Sequence, residues 1–266
     1  MEQKFQNCMK KTFVVLCFVL FFVAGHSQSY PRMEGAIRVM SYNIRNARGL
    51  DNKVDYQRIA AIIARANPDV VALQELDSAT NRSNRVDVLS QLSGLTAMYS
   101  VYGASIHFDG GKYGVGVLSK QKPISWKRIP LPGREEARSL LVVEFDDYVF
   151  CCTHFSLIGE DRITSVEIIN QTAMVFEKPV FLAGDINATP ESPVLNAFEK
   201  NWTVLSNMKQ PTFPADHPAQ TIDYILGYTP KGFSYSVWQA QVLNEPVASD
   251  HLPIFADVRM KKIERK

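Results

Sequence analysis

Short apolar runs in this chain end abruptly on a carboxylate, an imidazole or an amide, and that pattern limits what it can fold into. Val180-Phe181-Leu182-Ala183 runs into Gly184-Asp185-Ile186-Asn187, and Val70-Val71-Ala72-Leu73 runs into Gln74-Glu75. Thr153-His154, Ile222-Asp223-Tyr224 and Ser249-Asp250-His251 repeat the arrangement beside other apolar stretches. Continuous apolar runs of this length read as strands buried on both faces. Polar side chains at their ends escape unpaired burial if the ends converge on one rim of a sheet.

The N-terminus is read separately from the domain. Lys4, Lys10 and Lys11 precede an apolar run over 12–24, and small or polar residues follow to 29. Charge order and length predict a secretory signal over 1–29, leaving one domain over 30–266 that is secreted or periplasmic. The run is shorter than the roughly 20 apolar residues of a bilayer span. No stable membrane association is therefore expected after cleavage, and a monomer is expected. The full chain is 46% hydrophobic, and a domain over 30–266 is long enough to bury a large core. Removing the three lysines and one glutamate of 1–29 leaves 26 basic and 26 acidic residues. Proteins that grip nucleic acid by counterion release usually carry a basic surface. Nucleic acid is thus a disfavoured partner, and the basic stretch 120–128 and the tail 260–266 read as solvated surface. Cys151 and Cys152 are neighbours in a strand and point to opposite faces, so they read as small buried hydrophobes.

Strands are predicted over 37–43, 70–74, 99–101, 114–119, 139–145, 148–153, 180–183, 221–226, 241–243 and 254–259. Helices are predicted over 55–67, near 85–92, over 161–176 and from an opening at 190–193 to about 200. Asp55 is a plausible cap and Asn67-Pro68 a stop for the first helix. Asp146-Asp147 closes an antiparallel pair. Hairpins mixed with βα units point to a mixed-sheet α/β layer fold.

Several residues carry candidate chemistry. Glu75 past a buried strand, with Asn43 at another strand end, suits a hard divalent cation such as Mg²⁺ or Mn²⁺, which needs only one or two carboxylates besides waters and phosphate oxygens. Asp185 and Asn187, two apart, point to one side of an extended stretch. The carboxylate could deprotonate water and the amide could donate to a phosphate oxygen, although the same spacing also makes an ordinary Asx turn. His251 needs a carboxylate to fix its tautomer, and Asp223, costly in a strand unless paired, is the candidate partner. His154 offers a second imidazole. Arg138 either meets substrate phosphate or forms an ion pair with Glu135 and Glu136. Tyr102, His107, Phe108 and the stretch 212–217 are read as lining the substrate groove.

In chain order, Ser41-Tyr42-Asn43-Ile44, Leu73-Gln74-Glu75, Gly114 to Ser119, Thr153-His154-Phe155, Gly184-Asp185-Ile186-Asn187, Ile222-Asp223-Tyr224 and Ser249-Asp250-His251 resemble the motifs of the endonuclease/exonuclease/phosphatase family. The resemblance spans about residues 36–260. It implies a deoxyribonuclease I-like α/β fold, a four-layer sandwich of two mixed β-sheets flanked by helices. It also implies a metal ion held by Glu75 with Asn43 alongside and Asp250 in contact. Asp185 would activate water, Asn187 would bind phosphate, His154 and His251 would stabilise the transition state, and Asp223 would orient His251.

A divalent-metal-dependent hydrolase of phosphoric esters, with diesters preferred, is the expected activity. The alternatives are a secreted nuclease, a phosphomonoesterase acting on lipid head groups or sugar phosphates, and a silent binding module. Inositol polyphosphate 5-phosphatases carry Trp-Cys-Asp-Arg where this chain has Ile222-Asp223-Tyr224-Ile225, which disfavours that branch.

Overall fold

A computed structural model describes residues 30–263, so the signal expected over 1–29 lies outside the described residues. Twelve strands form two six-stranded sheets among those residues. The first sheet is built around β1 (Ile37–Asn43) and β2 (Val70–Ser78), which run parallel. The hairpin β3 (Tyr99–Phe108) and β4 (Gly111–Ser119) extends it on the β2 side. On the other side it is completed by β12 (Ile254–Lys262) and then β11 (Phe233–Val242).

The second sheet repeats that plan around a parallel pair, β7 (Val149–His154) and β8 (Val180–Asp185). Its remaining strands are β5 (Ser125–Leu131), β6 (Arg138–Glu144), β10 (Asp223–Tyr228) and β9 (Trp202–Val204), in the order β5-β6-β7-β8-β10-β9.

Alternation along the strands makes the layers. Met40, Tyr42, Val71 and Leu73 face outward and pack with Ile59, Ile62 and Ile63 of α1 (Tyr56–Ala66) and Leu89 and Leu92 of α2 (Val88–Thr96). Cys151, Val180 and Leu182 face the opposite exterior, under Val166 and Ile169 of α3 (Gly159–Ala173) and Leu195 of α4 (Pro193–Glu199). Val39, Ala72, Phe150, Cys152, Phe181 and Ala183 fill the space between the sheets. Helix, sheet, sheet, helix is the four-layer order. β1 packs across β8 and β2 across β7, so the two parallel pairs face each other. Their C-terminal ends therefore form one rim.

Local details follow from the same rules. Asp55 caps α1 by accepting the Arg58 N–H at 2.9 Å, and Asn67 ends it in the left-handed region before Pro68. α2 begins later than expected because Asp87 supplies its cap, with the Ser90 N–H at 2.8 Å. The stretch read as a basic surface contains strand β5, an edge strand with charged, mostly exposed side chains, which is how natural edges avoid further pairing. Cys151 and Cys152 are buried and free, and burial pushes both thiols up to about 12. No helix among the described residues is long and apolar enough to cross a membrane.

Candidate active site

Strand alternation aims most of the site. Asn43 has the parity of Val39, Asp185 that of Phe181 and Ala183, His154 that of Cys152, and Asp223 that of Ile225, so all four continue rows facing the inter-sheet space. Gly184 permits the close pairing of β7 and β8 at this point, since a Cβ there would lie 2.1 Å from the Thr153 carbonyl oxygen.

Glu75 gets there differently. Regular alternation would send it outward with Val71 and Leu73, toward the helices. A β-bulge between Leu73 and Leu76 interrupts the β2–β4 ladder, and Glu75 adopts φ +60. The bulge turns the carboxylate to the rim, where it accepts the Asn43 amide N–H at 3.0 Å. A left-handed backbone at a non-glycine residue costs on the order of 1 kcal/mol or more. The turn after Asn43 is strained in the same sense, with Arg45, Asn46 and Ala47 all at positive φ.

Asp185 is the hub. Its Oδ1 accepts the backbone N–H of Asn187 at 2.9 Å. Its Oδ2 accepts the Asn43 amide at 3.2 Å and faces Nε2 of His154 at 3.5 Å and Nε2 of His251 at 3.6 Å. Asp223 holds Nδ1 of His251 at 3.0 Å, and the same carboxylate oxygen accepts the Thr212 hydroxyl at 2.5 Å. Phe213 packs on the His251 ring, centroids 4.8 Å apart.

The two imidazoles occupy opposite electrostatic surroundings. Burial alone would lower His251, but the Asp223 and Asp185 charges and the Asp223 hydrogen bond override it and raise the imidazole to about 10. Burial lowers His154 to about 4; Asp185 opposes this, while Arg138 and His251 add to it. Arg138 Nη1 lies 3.3 Å from His154 Nδ1. Guanidinium has no acceptor, so Nδ1 is the acceptor and the proton of neutral His154 sits on Nε2, facing Asp185.

Arg138 is buried, and its Nη1 also meets Glu136 at 3.0 Å while Nη2 meets Glu135 at 3.4 Å. It joins ion pair and imidazole in one network. Asn187 sits at φ +50 in the Asx turn weighed from sequence, and its amide donates to the Phe155 carbonyl at 3.0 Å. Asp250 lies 3.2 Å from the Ser249 hydroxyl oxygen and 3.5 Å from Arg45 Nε.

Ser249 and Tyr113 were given no site role from sequence, and Thr212 was read only as groove lining, not as a partner of Asp223. Ser249 Oγ donates to the Asn43 carbonyl at 2.8 Å and ties the His251 loop to β1. Burial and then the Glu75 and Glu136 charges push the Tyr113 phenol upward, so it borders the rim as a protonated donor. The Thr212-Phe213 stretch lies at the site as expected for the groove. Tyr102 does not line it, because it packs against the α1–α2 core with its hydroxyl on the Leu76 carbonyl at 3.2 Å.

A divalent cation fits the donors present. Glu75 and Asp185 converge on one amide group, and Asp250 adds to the repulsion. Burial, then the Asp250 and Asp185 charges, raise the Glu75 carboxyl against the Asn43 hydrogen bond and His251. These oxygen donors suit a hard cation. Asp185, Asp223 and His251 also bring ligand atoms within 4.8 Å of one another. In that trio the His251–Asp223 hydrogen bond and the raised imidazole compete with coordination, so the oxygen set around Glu75 is the better cradle.

With geometry in hand, comparison with known proteins places the chain. The model of the Endonuclease/Exonuclease/phosphatase family matches residues 40–251, and the chain belongs to that family. Members hydrolyse phosphoester bonds and are typically dependent on divalent metal. The chain is similar to a crystal structure of an endonuclease/exonuclease/phosphatase from Beutenbergia cavernae, at 25% identity and TM-score 0.67, covering 85% of this chain and 72% of that one. It shares its fold with a mannosyl-6-phosphatase of Bacteroides thetaiotaomicron (18%, TM-score 0.66, 84% and 99% covered). It also shares it with the human Nocturnin catalytic domain with a bound sulfate anion (18%, TM-score 0.64, 87% and 97% covered).

Proposed function

We propose that this protein is a divalent-metal-dependent hydrolase of phosphoric esters, with diesters preferred, in which Asp185 is the general base and cationic His251 a stabiliser of developing charge. The observation that carries the reading is one carboxylate oxygen of Asp185 facing Nε2 of both His154 and His251 on one rim, with Asp223 favouring the charged form of His251 and burial the neutral form of His154.

Glu75, Asn43 and Asp250 would hold Mg²⁺ or Mn²⁺, with Asp185 alongside; the bound ion would supply charge neutralisation for the phosphate oxygens. Asp185 Oδ2 accepts the proton of the attacking water. The new P–O bond forms as the ester P–O bond breaks, and the departing alkoxide takes up a proton from solvent, while Asp185 later returns its own proton to solvent. His251 cannot act as base while protonated. It donates from Nε2 to the phosphoryl oxygens, with Asp223 and Thr212 fixing its ring. Neutral His154 donates from Nε2 without adding charge, held by Arg138. Asn187 keeps the Asp185 loop in place and retains one amide N–H for phosphate.

The apolar run over 12–24 supports export from the cytoplasm, and the balanced charge over 30–266 supports a small phosphate ester over nucleic acid as substrate. The protein is taken to act as a monomer.

The test is hydrolysis of bis(p-nitrophenyl) phosphate beside p-nitrophenyl phosphate by residues 30–266, with Mg²⁺, Mn²⁺ or EDTA. Metal-dependent diester cleavage supports the reading. Cleavage of the monoester alone moves it to phosphatase. Inertness on both, with no metal bound in calorimetry, favours the silent binding module.

A further inference from the structure

A further cleft, of about 280 Å³, opens where the edge strands of the two sheets meet, between β3 and β5. Its walls carry an ammonium, a guanidinium and an imidazole, from Lys112, Arg128 and His107. His107 and Lys112 are direct cross-strand partners near the end of the β3–β4 hairpin. Arg128 comes from the facing sheet. Its neighbour Lys127 lies over the Phe176 ring on the helical side, so alternation turns Arg128 toward β3.

These cations differ from the others nearby. Arg134 is paired with Glu160 and Asp161, and Arg138 with Glu135 and Glu136. Lys112 and Arg128 have no carboxylate partner among the described residues. Like charges gathered across two strands repel unless an anion joins them.

The cleft is built on rigid backbone and is coupled to the rim. A β-bulge between Ala104 and Ile106 frees Ser105 from the ladder, and its hydroxyl meets that of buried Ser139 at 2.8 Å. Ser139 precedes β6 residues of the core and follows Arg138, which contacts His154. Gly103 lies against Leu141, where a Cβ would come within 3.2 Å, so β3 packs closely on β6. The hairpin is thereby packed against the strand that carries Arg138.

We infer that this cleft is a second anion subsite, which takes a further phosphate of a small substrate whose first phosphate reacts at Asp185. The inference rests on the hydrolase reading for the position of the reacting phosphate, and it narrows the substrate class to bisphosphorylated small molecules. Two fixed cations, with an imidazole as a further hydrogen-bonding group, suit one phosphate dianion in so small a cleft. A polynucleotide would call for a longer basic track, and the balanced charge of residues 30–266 does not supply one.

The test is calorimetric binding of glucose 1,6-bisphosphate and glucose 6-phosphate in the presence of Mg²⁺, in an Asp185→Asn background where turnover does not consume the probe. Lys112→Ala/Arg128→Ala should weaken the bisphosphate about fivefold and the monophosphate less than about twofold, the scale of two exposed charge contacts. Both positions are exposed, so thermal melts should be unchanged; Arg128→Gln should give part of the same loss. Salt dependence of bisphosphate binding should flatten in the double variant. Equal loss for both probes, or no loss, overturns the inference. So does a loss confined to the phosphorylated dinucleotide pTpT relative to TpT. Because binding is read directly, an inert Asp185 enzyme would sink the hydrolase reading and leave the subsite result standing.

Discussion

The two sheets contribute to one site by different means. The second sheet delivers His154, Asp185 and Asp223 from the ends of regular strands, along rows that continue the core. The first delivers Asn43 from a regular strand, but Glu75 from a bulge at φ +60, beside a turn with three further residues at positive φ. Backbone strain is concentrated on the side read as the metal cradle, whereas on the side read as the proton-transfer side the strand ends are regular and positive φ falls only at Asn187 among the named site residues. The difference suggests that the carboxylate of Glu75 is held in place against the local preference of the chain. The residues around Asp185 fall where the fold already puts them.

The sharpest break of that comparison lies on the regular side. Asp185→Asn should lower kcat by about 100-fold or more, the scale of a positioned base, while melts stay close to wild type because the strand is unstrained. A variant with near-native kcat would remove Asp185 from the base role. Asp223→Ala should cost about 3–5 kcal/mol, since it leaves the His251 charge buried without its partner. Urea unfolding of the metal-free protein measures this, and a loss under about 1 kcal/mol would contradict the pairing.

Glu75 should behave in the opposite way. Glu75→Gln should abolish the metal-induced rise in melting temperature yet leave the metal-free protein as stable as wild type or more so, because a desolvated carboxyl is gone. Glu75→Gly should also retain metal-free stability to within about 1 kcal/mol, since glycine accepts the positive φ. Large destabilisation by either variant would mean that the strain is not where the bulge suggests.

The pH dependence of stability sharpens the comparison further. His251 is raised above its unfolded value, so its contribution is fully present below about 6.5 and is lost as pH rises through about 10. His154 is depressed, so the unfolded chain binds its proton first; its contribution is present above about 6.5 and is lost as pH falls toward about 4. Denaturant midpoints followed over pH should show a smaller alkaline loss in His251→Gln and a smaller acid loss in His154→Gln. Identical profiles in both variants would contradict the assignment.

How much of this was legible follows from the same contrast. Period-two alternation and apolar runs sufficed to bring Asn43, His154, Asp185 and Asp223 to strand ends, and the family phrases supplied the layer order. The bulge at Glu75 leaves no periodic trace, because one extra residue reverses the facing of everything beside it. β5 was hidden by its charges, since Lys127 and Arg128 on an exposed edge look like a solvated loop. Thr212 and Ser249 act by long-range hydrogen bonds to Asp223 and Asn43, and no spacing in a sequence encodes a contact of that kind.

The central claim is that Asp185 lies between a cationic and a neutral imidazole. An NMR titration of the imidazole nitrogens in metal-free residues 30–266, assigned with His154→Gln and His251→Gln, tests it most directly. The account predicts that His251 stays protonated until about pH 10 and that His154 stays neutral down to about pH 4, with its proton on Nε2. Both rings titrating near the ordinary 6.5, or His154 charging before His251, would contradict it.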